Sequence, residues 1–219
     1  MNPSLSGAVV AFVAISFAAS AEGTVITWTT AEGGNGDSFE AISTQPNTIS
    51  WTQAEADAQA LGGHLATITS AAENNFVFSL IDYPQYWYEL DPDHNYGPWI
   101  GGLQSPQSSN PAINWTWVTG EPFVYSDWAP GEPNHYEGLP EYYIEYIAEN
   151  GEDGGALMTP TWNDATNAPS DINYPMAYVV EFNPVPEPGA LALLAAGIAS
   201  LGTARLFRVG HRRRAPRER

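Results

Sequence analysis

Thr24 to Thr30 alternates β-branched and aromatic residues with other types, so this stretch predicts a strand. Ala31 to Gly36 reads as a turn and Ser38 to Ile42 as a second short strand. The period then changes. Ser50 or Thr52 can cap a helix over Gln53 to Leu61, with Glu55 in its first turn and Gly62-Gly63 ending it. His64 to Thr67 is short and strand-like. Ser70-Ala71-Ala72-Glu73 has the spacing of a capping box and opens a second helix reaching about Ile81. Phe76, Val77, Leu80 and Ile81 share one face of it. After that the helical period stops. Trp99 to Leu103 and Asn114 to Val118 read as a strand pair around a polar loop. Gly120 to Glu141 is rich in Gly, Pro and aromatics and predicts a long ordered loop, the kind that tends to be functional. Tyr142 to Ile147, Thr161-Trp162 and Met176 to Phe182 complete an antiparallel sheet. A strand, two helices and then strands around a loop define an α+β domain. Trp99, Trp115, Trp117 and Trp128 read as core.

Charge changes the picture more than composition does. The formal net charge is −18, from 25 acidic and 7 basic residues. All seven basic residues are arginines at or beyond Arg205, and only Glu187 and Glu218 among the acids follow Phe182. A nucleic-acid binder needs a cationic footprint, which residues 1–204 lack. Lys- or Arg-based phosphate chemistry is excluded on the same ground. Carboxylates clustered in the domain have no Lys or Arg partner. They must be offset by protons, helix N-termini or a bound cation. The absence of Cys excludes disulfides, thiolate metal sites and Cys nucleophiles.

The ends read as addresses. Ala8 to Ala19 is a short apolar run followed by the small-x-small pattern Ala19-Ser20-Ala21, which predicts a signal peptide over 1–21. The alternative is a buried N-terminal helix. At the other end come a Pro-rich linker over 183–188, an apolar segment over 189–204 and an Arg-rich tail over 205–219. A helix over the apolar segment reaches about 24 Å, short of a hydrocarbon core of about 30 Å unless Arg205 and Arg208 snorkel. The tail should then stay cytoplasmic. This order resembles the PEP-CTERM sorting signal of Gram-negative bacteria, in which Val185-Pro186-Glu187-Pro188 would be the motif read by an exosortase-type membrane peptidase. The resemblance implies transient anchoring at the inner membrane, cleavage, and release to the cell surface or matrix. The alternative is a plain C-terminal anchor. Either way, residues 22–182 would lie outside the cytoplasm.

The domain resembles a C-type lectin-like domain. Trp51-Thr52-Gln53-Ala54-Glu55-Ala56, followed by Gly62-Gly63-His64-Leu65-Ala66-Thr67-Ile68, is similar to the family's first helix and the strand after it. Trp99-Ile100-Gly101 is similar to its core strand, and Glu132-Pro133-Asn134 and Trp162-Asn163-Asp164 to its two calcium and sugar motifs. The family commonly carries disulfides, but Tyr143 and Val180 stand where cysteines would be expected. Aromatic packing and a cation would have to take their place.

What the resemblance implies is a calcium ion held by Glu132, Asn134, Glu141, Asn163 and Asp164, with Pro133 in the cis state. The residue types suit that role. Calcium takes six to eight oxygen ligands. Glu132 and Asn134 are two apart, so their side chains face one way in an extended segment. Glu137 and Glu145 compete with Glu141 for the third position, and Asp127 remains a stray candidate. An open coordination sphere would accept two vicinal sugar hydroxyls, whose protons go to carboxylates and whose remaining lone pairs accept from the amides. The order Glu-Pro-Asn resembles the mannose-type variant, which implies mannose- or glucose-type sugars. His135 and Tyr136 sit beside this region.

Three functions compete. The first is calcium-dependent carbohydrate binding at a bacterial surface, associated with exopolysaccharide or biofilm. The second is a structural or protein-binding domain in which calcium only braces the loop. The third, hydrolysis by paired carboxylates, has no further pattern behind it. His64, His94 and His135 suggest no triad. The expectation is a binding protein rather than an enzyme.

Overall fold

The computed structural model describes residues 23–91, 94–150, 156–167 and 175–184. Helix α1 (Trp51–Ala60) starts where the Ser50 hydroxyl accepts from Gln53 N at 3.2 Å, so Ser50 and not Thr52 is the cap. It buries Trp51, Ala54 and Ala58, one face at helical spacing. Gly62, at φ 88°, ends it in the left-handed region where a side chain is disfavoured. Helix α2 (Ala71–Ile81) is capped by Ser70, which accepts from Glu73 N at 3.2 Å. The expected capping box forms only half. Glu73 reaches past Ser70 to accept from Thr69 N and Thr69 Oγ1, both at 2.7 Å.

Strands β1 (Ile26–Thr27), β2 (Ser38–Ser43) and β3 (His64–Leu65) come from the first half of the chain. Strands β4 (Tyr88–Asp91), β5 (His94–Gln104), β6 (Trp115–Trp117), β7 (Glu141–Asn150), β8 (Ala156–Thr166) and β9 (Ala177–Phe182) follow the helices. The main path across the sheet is β1-β2-β9-β5-β7-β8, with β3 on β9 and both β4 and β6 on β5. The first strand is shorter than its alternation predicts. Glu32 accepts from Thr29 N and Oγ1, pulling Thr30–Glu32 into a 3-10 turn. Nor is the sheet antiparallel throughout, because β5 runs parallel to β9 at Trp99 and Tyr178. Alternation reports which face of a strand is buried and says nothing about its neighbour's direction. The hairpin of β4 and β5 and the full length of β8 also exceed what the pattern predicts.

The core fills both faces of the sheet. Trp99, Ile100, Ile144, Tyr146 and Trp162 are fully buried. Trp51 Nε1 donates to Ile100 O and Trp99 Nε1 to Ile49 O, each at 2.8 Å, so both indoles bury their polar end with a partner. Tyr143 packs at a tilt on Trp51 with ring centroids 4.6 Å apart, and Val180 is fully buried in the same cluster. The two positions where the resemblance implied cysteines are thus filled by packing. Trp115 and Trp128 are half-buried and meet at a tilt, ring centroids 4.9 Å apart. At Gly101, a Cβ would lie 2.5 Å from the Leu65 carbonyl oxygen, so β5 and β3 approach as closely as they do only with glycine there.

The expected signal peptide, sorting motif, apolar segment and Arg-rich tail lie outside the described residues. Among the described residues, no helix is long and apolar enough to cross a membrane.

Candidate functional site

Two separated segments supply the five candidate ligands, and the fold brings them together. Asn163 and Asp164 stand on β8, paired in register with Glu145 and Ile144 of β7. Glu132 and Asn134 stand on the long loop. The loop is tied to β8 by Trp162 N donating to Asp127 O at 2.8 Å and Ala129 N to Trp162 O at 2.9 Å. The Glu132-Pro133 peptide is cis, as the resemblance implied.

Asp164, fully buried, is the clasp. Its Oδ1 accepts from Asn134 N at 2.8 Å and its Oδ2 from His135 N at 3.0 Å. Both backbone N–H groups are directed at it, and His135 itself takes the left-handed conformation, φ 47°. Glu141, at the start of β7, accepts from Tyr136 N at 2.5 Å. Asn134 Nδ2 donates to Glu132 Oε1 at 2.9 Å. Asn163 Nδ2 donates to Glu145 Oε1 at 3.0 Å. The His135 ring packs edge-on against Tyr142, its Nε2 3.7 Å from Asp164 Oδ2.

The rivals separate cleanly. Glu137 is exposed and away from these contacts, on a turn where its own φ is 52°. Glu145 is buried beneath Asn163, with Oε2 left without a partner. Its place follows from the β7–β8 register, which sets Glu145 opposite Asn163 and which the sequence does not display. Asp127 is not at this site. Its carboxylate accepts from Asn74 Nδ2 and Tyr125 Oη at 2.9 and 3.2 Å.

The electrostatics are one-sided. Burial, and then the Asp164 carboxyl beside it, push Glu132 up to about 8. Burial pushes Glu141 up to about 7, against the opposing Tyr136 N–H, and the Asp164 charge adds to the rise. Glu145 is held well above the usual carboxylate range, first by burial and then by the charges of Glu141, Asp164 and Glu132. No Lys or Arg occurs between residues 23 and 184 to counter them. A proton or a cation is what can.

The residues therefore fit a hard cation by their chemistry. There are several carboxylates, two amide oxygens whose N–H groups face away toward carboxylates, and the unpartnered buried oxygens Glu132 Oε2 and Glu145 Oε2. They are not a finished cage. Among the described residues, no three His, Asp or Glu side chains are grouped so as to hold a metal. The Asp164 oxygens are occupied by backbone N–H groups, and the amides are turned to Glu132 and Glu145.

Two helices on a mixed sheet, with the loop clasped to the β7–β8 hairpin, make this an α+β domain of the C-type lectin-like fold. Residues 47–141 match the family model of the lectin C-type domain. The chain is 33% identical to ladderlectin of Oncorhynchus mykiss over 89 residues, which span 41% of each chain. It is 27% identical to a perlucin-like protein of Mytilus galloprovincialis over 133 residues, 59% of this chain and 70% of that one. It is 30% identical to the galactose-specific lectin nattectin of Thalassophryne nattereri over 118 residues, 54% of this chain and 61% of that one. Similar solved structures include the cow carbohydrate-recognition domain of CD23 with a GlcNAc2Man3 oligosaccharide (TM-score 0.46, 21% identity, 67% of this chain and 87% of that one). Another is the herring type II antifreeze protein (TM-score 0.47, 22% identity, 69% and 94%).

Proposed function

We propose that this domain binds carbohydrate through a calcium ion held by Glu132, Asn134, Glu141, Asn163 and Asp164. The observation that carries the proposal is the convergence of loop and strand. Asp164 holds the backbone of Asn134 and His135, so amide and carboxylate donors from both segments stand at one place. The surplus of carboxylates there, with no basic side chain among residues 23–184, supports a divalent cation. A coordination sphere left partly open accepts vicinal hydroxyls of a mannose- or glucose-type sugar. Binding to a single ring is weak, because water competes for each hydroxyl, and repeated copies on a surface would add avidity. The role is recognition rather than turnover. Together with the export and sorting addresses read at the chain ends, it describes an extracytoplasmic bacterial protein engaged with surface or matrix polysaccharide.

A second reading has its own support. The Asn134 and Asn163 amides already donate to Glu132 and Glu145. In that reading a cation braces the loop of a structural or protein-binding domain, and no sugar is recognised. A glycan array run with calcium and with chelator separates the two. The carbohydrate reading expects calcium-dependent signal on mannose- or glucose-type glycans, lost in Glu132→Ala and Asn134→Ala. Chelator-sensitive melting without any glycan signal would leave the bracing role alone.

A further inference from the structure

On the face of the β7–β8 hairpin that carries Tyr146 and Trp162, the Asn74 side chain joins four parts of the fold. It is 1% exposed, on the buried face of α2. Its Oδ1 accepts from Tyr146 Oη on β7 at 2.8 Å and from Trp162 Nε1 on β8 at 3.1 Å. Its Nδ2 donates to Pro160 O on β8 at 2.7 Å and to Asp127 Oδ2 on the long loop at 2.9 Å. Tyr125 Oη closes the ring on Asp127 at 3.2 Å. An amide has two lone pairs and two N–H donors, so Asn74 spends its whole capacity here. A buried network satisfied at every member is rigid, and one missing donor leaves buried acceptors unpaired.

The partners are next to the candidate ligands in sequence, and Trp162 shares its face of β8 with Asp164, two residues along. Tyr146 follows Glu145, and Trp162 precedes Asn163. Tyr146 pairs with Trp162 and Glu145 with Asn163, so both pairs sit on adjacent rungs of one ladder. Successive residues of a strand face opposite sides. Whatever fixes Tyr146 and Trp162 therefore fixes Asp164 on the same side and Glu145 and Asn163 on the other. Asp127 is the loop's share of the same device. Its backbone carbonyl accepts from Trp162 N, two residues before Ala129 N donates to Trp162 O. From there the chain runs directly into Glu132.

The geometry points to Asn74 as a positioning residue for the calcium and carbohydrate site: one buried amide on α2 sets the loop carrying Glu132 and Asn134 against the strand carrying Asn163 and Asp164. The inference rests on the cation reading above. Asn74 touches neither ion nor sugar. It acts through Asp127, Tyr146 and Trp162, as outer-shell groups orient ligands at metal sites.

The test uses the full chain and calcium alone as probe. Asn74→Asp keeps the shape and the acceptors for Tyr146 and Trp162 but loses both donors. Tyr146→Phe is the milder variant and removes one hydroxyl. Val77→Ala, fully buried on the same helix but apolar and so outside the hydrogen-bond network, is the comparison for lost stability. Melting in chelator and calcium titration are measured for each, the titration well below the lowest melting temperature. Asn74→Asp should weaken calcium binding by about tenfold or more. Tyr146→Phe should weaken it less, and Val77→Ala should lower the melting temperature without changing the calcium dissociation constant. An unchanged calcium affinity in both network variants overturns the inference. So does a loss in Val77→Ala equal to that in Asn74→Asp, because stability alone would then account for the effect. A wild-type chain that takes up no calcium removes the cation reading itself, which is a different result from either.

Discussion

Glu181 lies on β9, 3% exposed, where its Oε2 accepts from Thr67 N at 2.7 Å. Burial pushes it from the ordinary 4.5 up to about 8, and the charges of Asp37, Glu73 and Glu121 add to the rise while the Thr67 N–H opposes it. The nearest basic group is His64, whose Nδ1 is 4.0 Å away and also lies 3.0 Å from Leu65 O. The sign follows from proton binding. Between pH 4.5 and about 8 the folded chain holds a proton on Glu181 that the unfolded chain has released. Its stabilising contribution is complete below the unfolded value and is lost as pH rises through the folded one. The slope is about 1.4 kcal/mol per pH unit, and the whole window is worth on the order of 5 kcal/mol. Asp37 and Glu73, also raised by burial, titrate in the same direction. Glu181→Gln keeps an acceptor for Thr67 N–H and cannot ionise, so it should remove the Glu181 share of the slope and be the more stable chain at pH 8. Urea unfolding followed by tryptophan fluorescence, in chelator from pH 5 to 8, measures this. A wild-type unfolding free energy that is level or rises over that range would rule out a proton held on Glu181, as would a variant with the wild-type slope.

Removing the ring that fills an expected cysteine position, by Tyr143→Ala, should cost about 2 kcal/mol from lost packing on Trp51, read as a fall of roughly 4–8 °C in calorimetry. Calcium affinity should increase with pH between about 6 and 8, because Glu141 and Glu132 must shed protons held up to about 7 and about 8. Titration calorimetry in buffers of different ionisation heat would show the protons released. A calcium affinity flat across that range contradicts it.

Much of this was legible because local rules and the site's own residue types coincide. Ser50 and Ser70 announce two helix starts, Gly62 a stop, and the shift from helical to alternating spacing places the sheet after α2. Glu132, Asn134, Asn163 and Asp164 could be named because their types and order resemble motifs of a family. What stayed hidden depends on register and direction. Nothing in the local pattern puts β5 parallel to β9 or pairs Glu145 with Asn163. Glu73 passes over Ser70 to Thr69, a choice among nearby donors that spacing leaves open. Asn74 reads as an ordinary polar helix residue until the fold sets Asp127, Tyr146, Pro160 and Trp162 around it.

Carbohydrate binding here depends on acids and amides of the long loop and of β8 closing on one hard cation. The direct measurement is calcium titration of the full chain beside Glu132→Gln and Asp164→Asn, with melting followed in calcium and in chelator. Saturable uptake is expected in the wild type, with stabilisation of about 2.7 kcal/mol at a hundred times the dissociation constant, and loss of that site in both variants. Absence of saturable uptake, or uptake unchanged by both substitutions, would contradict it.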